Sequence, residues 1–153
     1  MNILVLCTGN SARSILSEVL INELGGGELR AFSAGSHPTG LVNPGAIDKL
    51  RSKGHAVEGL ESKSWDRFSG SGAAAVDLVI TVCDNAAGES CPIWNGAPVN
   101  VHWGIPDPAV DGDFDSAYSR LRARIEAMLA LPLKEMSKVE ISNALIKVHR
   151  RAL

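Results

Sequence analysis

The residues best suited to chemistry stand near the start of the chain. Cys7-Thr8-Gly9-Asn10-Ser11-Ala12-Arg13-Ser14 sets a thiol, five residues and a guanidinium between an apolar run and a helix-patterned stretch. A tight loop of this kind turns successive backbone N–H groups inward as a nest for an anion. The helix that follows adds the positive end of its dipole. Arg13 adds a planar fork of donors that grips two oxygens of a tetrahedral anion. The same field is expected to lower the Cys7 pKa and make its thiolate a nucleophile. The plain alternative is a buried Cys at a strand end beside a solvated Arg. Gly9 and Asn10, both suited to unusual backbone angles, weigh against it. The candidate anion contacts are Thr8, Gly9, Asn10, Ser11, Ala12, Arg13 and Ser14, and Asn10 also reads as a brace of the loop.

Two further segments carry reactive groups. His102-Trp103-Gly104-Ile105-Pro106-Asp107-Pro108-Ala109 holds a carboxyl on a Pro-flanked loop, where it could protonate a departing oxygen. A turn Asp beside prolines is the ordinary reading of the same residues. Cys83 and Cys91 flank seven small or polar residues. Such a segment buries little apolar surface and rearranges at small cost. A zinc pair and two unreactive thiols are the alternatives, although the spacing is not Cys-x2-Cys and no His stands at ligand spacing. His37, His55, His102 and His149 are scattered, and none is assigned a catalytic role.

These groups need elements to position them. Asn2–Leu6, Leu29–Ser33, Asp77–Val82 and Val99–Trp103 read as strands; the continuous apolar runs among them suit a sheet buried on both faces. Apolar periodicity predicts helices over Ser14–Leu24, Phe114–Leu131 and Ser137–Arg150, the last with Val139, Ile141, Leu145, Ile146 and Val148 as contacts. Asn43-Pro44-Gly45 begins another that ends at Gly54. Ile105–Pro108 reads as loop, because two prolines restrict the backbone there. Strands alternating with helices predict a parallel α/β sheet. Cys7, Cys83 and Asp107 then fall at strand C-terminal ends, where such sheets bind ligands.

Composition narrows the classes. The 153 residues suit one compact domain, and 45% hydrophobic against 21% charged residues argues against disorder. Lys+Arg 15 against Asp+Glu 17 leaves a net charge of -2, without the basic surplus of a nucleic-acid binder. No apolar run is long enough to span a membrane. The opening residues predict no secretory signal and a cytoplasmic location. Three Cys in such a chain do not suggest a structural disulfide framework.

The loop Cys7–Ser14, together with Asp107-Pro108 ahead of a C-terminal helix, resembles the low-molecular-weight protein tyrosine phosphatase family. His102–Ala109, Ser33-Ala34-Gly35 and Thr81-Val82-Cys83 resemble its arsenate reductase branch. The likeness runs over nearly all of residues 1 to 131, and the two main motifs are specific in combination. It implies a three-layer α/β domain over 1–153, a four-stranded parallel sheet with helices on both faces, and 132–153 as a helical extension. It implies reduction of arsenate to arsenite, for arsenic detoxification, with phosphate or sulfate as mimics of the substrate. Cys7 would attack arsenic, Arg13 and the loop would hold the oxyanion, and Asp107 would protonate the leaving oxygen. Cys83 would be the first relay thiol and Cys91 the resolver. Thioredoxin, or glutaredoxin with glutathione, would reduce the final disulfide.

The resemblance implies no metal and no nucleotide cofactor. Asn10, Glu18, Ser33 and Asp66 match positions that bind potassium in some relatives, but Glu18 and Asp66 read here as solvated charges. Ser14 reads as a partner of the Cys7 thiolate or a helix N-cap. Two departures stand out. Cys83 and Cys91 are eight apart, where the resembled reductases have seven or fewer, and Ala12 stands where some relatives carry a Cys. The alternative reading is a protein tyrosine or small-phosphoester phosphatase using the same Cys-x5-Arg loop. Against it, Ala109, Val110 and Asp111 follow Asp-Pro, where the phosphatase branch places aromatic residues. A binding module that merely kept the fold is a third reading.

Overall fold

The computed structural model describes residues 1–88 and 92–152, apart from the side chains of Asn85 and Ala87. β1 (Asn2–Leu6), β2 (Arg30–Ala34), β3 (Leu78–Thr81) and β4 (Val99–His102) form one all-parallel sheet in the order β2-β1-β3-β4. β2 runs one residue later than its expected span, and β3 and β4 are shorter than theirs. The apolar runs are continuous because both faces are covered. Ile3, Val5, Leu78 and Ile80 face one core, and Leu4, Leu6 and Val79 face another.

The long helices contribute to the first core. They are α1 (Arg13–Leu24), α2 (Pro44–Ser52), α5 (Phe114–Leu129) and α6 (Lys138–Arg151), with the one-turn α3 (Asp84–Gly88) and α4 (Pro108–Asp111) between them. The second core is closed by Trp94 and by a 3-10 turn, Trp65–Phe68, that periodicity did not signal.

Local chemistry sets the boundaries. Asn43 caps α2 by accepting from the Gly45 N–H at 2.8 Å, with Pro44 at the first helical position. Ser137 and Glu140 form a reciprocal capping box at α6. Where Ile105–Pro108 reads as loop, Pro108 instead opens α4, because its ring already fixes a helical φ and Asp107 supplies the cap.

On α6, Ile141 and Leu145 carry the packing, and the Trp103 indole donates to the Leu145 carbonyl at 3.0 Å. Val139 and Ile146, expected as contacts, are 69% and 37% exposed. Seven residues apart, they share a face turned away from the one that docks. The helix thus seats on its own sheet and on α5. Because all four strands are parallel, the residues that follow β1, β3 and β4 emerge at one edge, bringing Cys7, Cys83 and Asp107 together.

Candidate active site

The Cys7–Arg13 loop is held from outside by its carbonyls. The Thr8 carbonyl accepts from the His37 N–H, that of Gly9 from the Thr39 N–H and the Ser62 hydroxyl, and that of Ser11 from the Asn43 N–H. Carbonyls bonded outward are what a nest of inward N–H groups requires. Asn10 makes the sharpest bend, at φ 44°, a left-handed conformation that Asn tolerates. Its amide donates to Ser14 Oγ at 2.8 Å and accepts from the Lys63 N–H at 2.9 Å. Gly35 lets β2 press against this loop, since a Cβ there would lie 2.4 Å from the Thr8 carbonyl.

A cavity of about 310 Å³ opens inside the loop. Cys7, Thr8, Gly9, Ser11, Ala12 and Arg13 line it together with Cys83 and Asp107. Asn10 and Ser14, expected as anion contacts, are fully buried and brace the loop from behind. The N-cap of α1 is Ala12, which has no capping side chain, so Ser14 is not the cap. The first-turn N–H groups of α1 therefore lack a capping acceptor. Thr39, which no sequence signal marked, also lines the cavity, as does Ala109, the small residue that follows Asp-Pro.

Arg13 is fixed at both ends of its fork. Nη1 donates to the Ile105 carbonyl at 2.9 Å, and Nη2 lies 3.4 Å from Asp107 Oδ2. Its Nε is buried without a partner among the described residues, an unsatisfied charged donor beside the cavity that Arg13 lines. The other Asp107 oxygen accepts from the Ala109 N–H at 2.9 Å. The turn reading and the chemical reading of Asp107 thus describe one side chain with two oxygens in different work.

The two described thiols meet in the cavity. The Cys7 thiol donates to Cys83, which also accepts from the Thr8 and Ala86 N–H groups. That arrangement reverses the expectation for Cys7. Holding its proton against Cys83, together with burial, pushes the Cys7 pKa far above the thiol range, outweighing Arg13 and the Gly9 N–H. Cys83 falls to about 5, chiefly because it accepts from Cys7, with the two backbone N–H groups adding to the effect against burial. The two thiols share one hydrogen bond and titrate as a coupled pair, Cys7 raised and Cys83 lowered. Cys91 lies outside the described residues.

Of the four possible potassium ligands, Glu18 is not a solvated charge. It accepts from Ser33 at 2.8 Å and lies 3.6 Å from the Lys63 ammonium, which supplies a cation from the chain itself. Asp66 is exposed. No group of three or more His, Cys, Asp or Glu side chains among the described residues could hold a metal ion, and no described helix is long and apolar enough to cross a membrane.

Residues 2–141 match the family of low molecular weight phosphotyrosine protein phosphatases. The chain belongs to that family. Among its relatives, a protein named arsenate reductase from Bacillus subtilis (strain 168) is 36% identical over 104 residues, 68% of this chain and 71% of its own. An arsenate reductase solved in a phosphate binding state superposes with a TM-score of 0.71 at 24% identity, over 84% of this chain and 96% of the other. A thioredoxin-dependent arsenate reductase of Corynebacterium glutamicum gives 0.60 at 23% identity, over 79% of this chain and 58% of that one. At these identities the two structures speak for the fold. Within this phosphatase family the chain has small Ala109 at the cavity and Val110 85% exposed beyond it. Its one Tyr, Tyr118, is buried and bonded to His55.

Proposed function

We propose that the protein reduces arsenate to arsenite by a thiol relay. The observation that carries this reading is Cys83 in contact with Cys7 inside the anion cavity, a second thiol that phosphoester hydrolysis does not need. Arsenate sits among the loop N–H groups and Arg13. Cys7 passes its proton to Cys83 and attacks arsenic, while Asp107 protonates the oxygen that leaves as water. Cys83 then loses its proton to solvent and attacks the Cys7 sulfur. A sulfur–sulfur bond forms, the sulfur–arsenic bond breaks, and its electron pair stays on arsenic, which leaves as arsenite. Cys91 attacks Cys83, frees Cys7, and leaves a Cys83–Cys91 disulfide. A dithiol protein such as thioredoxin, or glutaredoxin with glutathione, returns the two electrons.

Residues 132–153 belong to the same working domain in this reading, because α6 seats on β4. The reading is tested by arsenite formation from arsenate with thioredoxin, its reductase and NADPH, and in parallel with glutathione and glutaredoxin. One couple should support turnover, and Cys83→Ser should abolish it. Arsenite from neither couple, or full turnover by Cys83→Ser, overturns the proposal.

A further inference from the structure

We propose that His102 is a positioning residue for the relay, holding Cys83 in its place of attack through Thr81 and Asp84. The inference rests on the arsenate reading above. His102 ends β4 directly opposite Thr81 at the end of β3. Its Nδ1 lies 2.7 Å from Thr81 Oγ1 and its Nε2 lies 2.8 Å from Asp84 Oδ1. Thr81 and Asp84 flank Cys83 in the chain, so one imidazole ties down the backbone on both sides of the thiol. The Thr81 hydroxyl donates to a neutral ring and accepts from a charged one, so the tie closes in either state.

Gly104 gives independent support. A Cβ there would lie 2.7 Å from both Asp84 Oδ1 and His102 Nε2. Gly104 is not among the glycines of positive φ, so no turn demands it. Its missing side chain leaves room for this bridge. The Asp84 side chain is 93% exposed. A pair so open to water adds little to folding stability, and its effect is to fix geometry. His149 on α6 is the other titratable ring beside His102, at 6.5 Å between centroids, and is itself bonded to Arg124.

Magnitudes follow from the bonds lost. Losing the exposed pair alone should slow closure of the Cys7–Cys83 disulfide roughly threefold, and losing the Thr81 bond as well about tenfold. The experiment uses the full chain with Cys91→Ser, so that the relay stops at Cys7–Cys83. Closure is timed by mass spectrometry after a single charge of arsenate. It is timed separately with diamide, which takes two electrons and two protons from the thiols. His102→Ala should slow both reactions about tenfold, and Asp84→Ala and Gly104→Ala roughly threefold, while Asp84→Asn, which keeps an acceptor, stays near the parent. Adding Asp84→Ala to His102→Ala should change nothing more. Affinity for inorganic phosphate should not move, and the melting temperature should fall by no more than the few degrees that one lost hydrogen bond costs. Parent-rate closure by His102→Ala overturns the inference, as does an equal loss of phosphate affinity. Failure of arsenate alone to close the parent disulfide overturns the functional reading instead, and the diamide arm still decides the role of His102.

Discussion

Two thiols meet in one cavity, and the chain supports them by opposite means. Cys7 opens a loop whose carbonyls are bonded outward, whose sharpest bend is held by a fully buried Asn10, and behind which Gly35 allows contact with β2. Cys83 leads into a five-residue helix, and the described bridge across its first turn runs through a side chain almost wholly in solvent. The loop must present the same donors to every anion, so rigidity serves it. The second thiol must reach Cys7 and later leave it, so light restraint serves it better.

The widest break between the regions is chemical. Cys7→Ser should abolish both arsenate reduction and any hydrolysis of aryl phosphates, about 10³-fold or more in each. Cys83→Ser should abolish only the first. Assays of both substrates on both variants check this, and equal loss of hydrolysis in Cys83→Ser would erase the division of labour. Asp107→Asn comes next. Asn caps a helix as well as Asp, so the melting temperature should hold while the first step slows by about 10²–10⁴. A parallel fall in stability would show that the carboxylate mainly holds Arg13 through their ion pair.

Proton release separates the thiols as well. With Cys91→Ser in place, ultraviolet thiolate absorbance should show one ionisation with a midpoint of about 5. A second thiol should stay protonated beyond the ordinary range, because Cys7 is raised. Adding Cys7→Ala, which removes the donor, should move the Cys83 midpoint upward, since the bond from Cys7 is its largest cause. The effect on stability follows in sign. An acid lowered on folding stabilises the fold above its unfolded value, 9.0 for a thiol, and that contribution fades as pH falls toward about 5. The raised Cys7 works the other way, costing stability above the ordinary thiol range, where the unfolded chain releases a proton that the folded one keeps. Unfolding midpoints in urea should therefore rise from pH 5 toward 9 and fall beyond it.

What the sequence disclosed follows the same division. The strand, loop and helix around Cys7 were legible because apolar run, bend residues and helical stripe lie next to one another in the chain. The convergence of Cys7, Cys83 and Asp107 was legible because parallel strands put their C-terminal ends on one edge. The raised pKa of Cys7 was not, since its main cause is a thiol that follows another strand. The pairing of Glu18 with Lys63, the second oxygen of Asp107 on the Ala109 N–H, and the place of Thr39 in the cavity likewise depend on neighbours that periodicity does not bring together. The Trp65–Phe68 turn escaped for a related reason. One helical turn is too short to show a period, and it is fixed by a Ser64 cap, a backbone bond from Trp65 to Gly35 and aromatic packing beneath the sheet.

Two glycines give the smaller tests of what surrounds each thiol. Gly35→Ala drives a methyl to 2.4 Å from the Thr8 carbonyl and 2.7 Å from that of Cys7, both backbone atoms of a braced loop. The expected cost is about 1–3 kcal/mol in urea unfolding, with weaker phosphate binding, because relief comes only by moving the nest. Gly88, the last residue of α3, has nothing within 4 Å of an added Cβ among the described residues and no left-handed φ. There the methyl clashes with nothing and narrows the unfolded ensemble, so Gly88→Ala should stabilise by about 0.4–1 kcal/mol. Opposite signs at the two positions are the expected result. Equal destabilisation would mean that the end of α3 is packed as tightly as the loop, and the contrast between a fixed first thiol and a lightly held second one would fail.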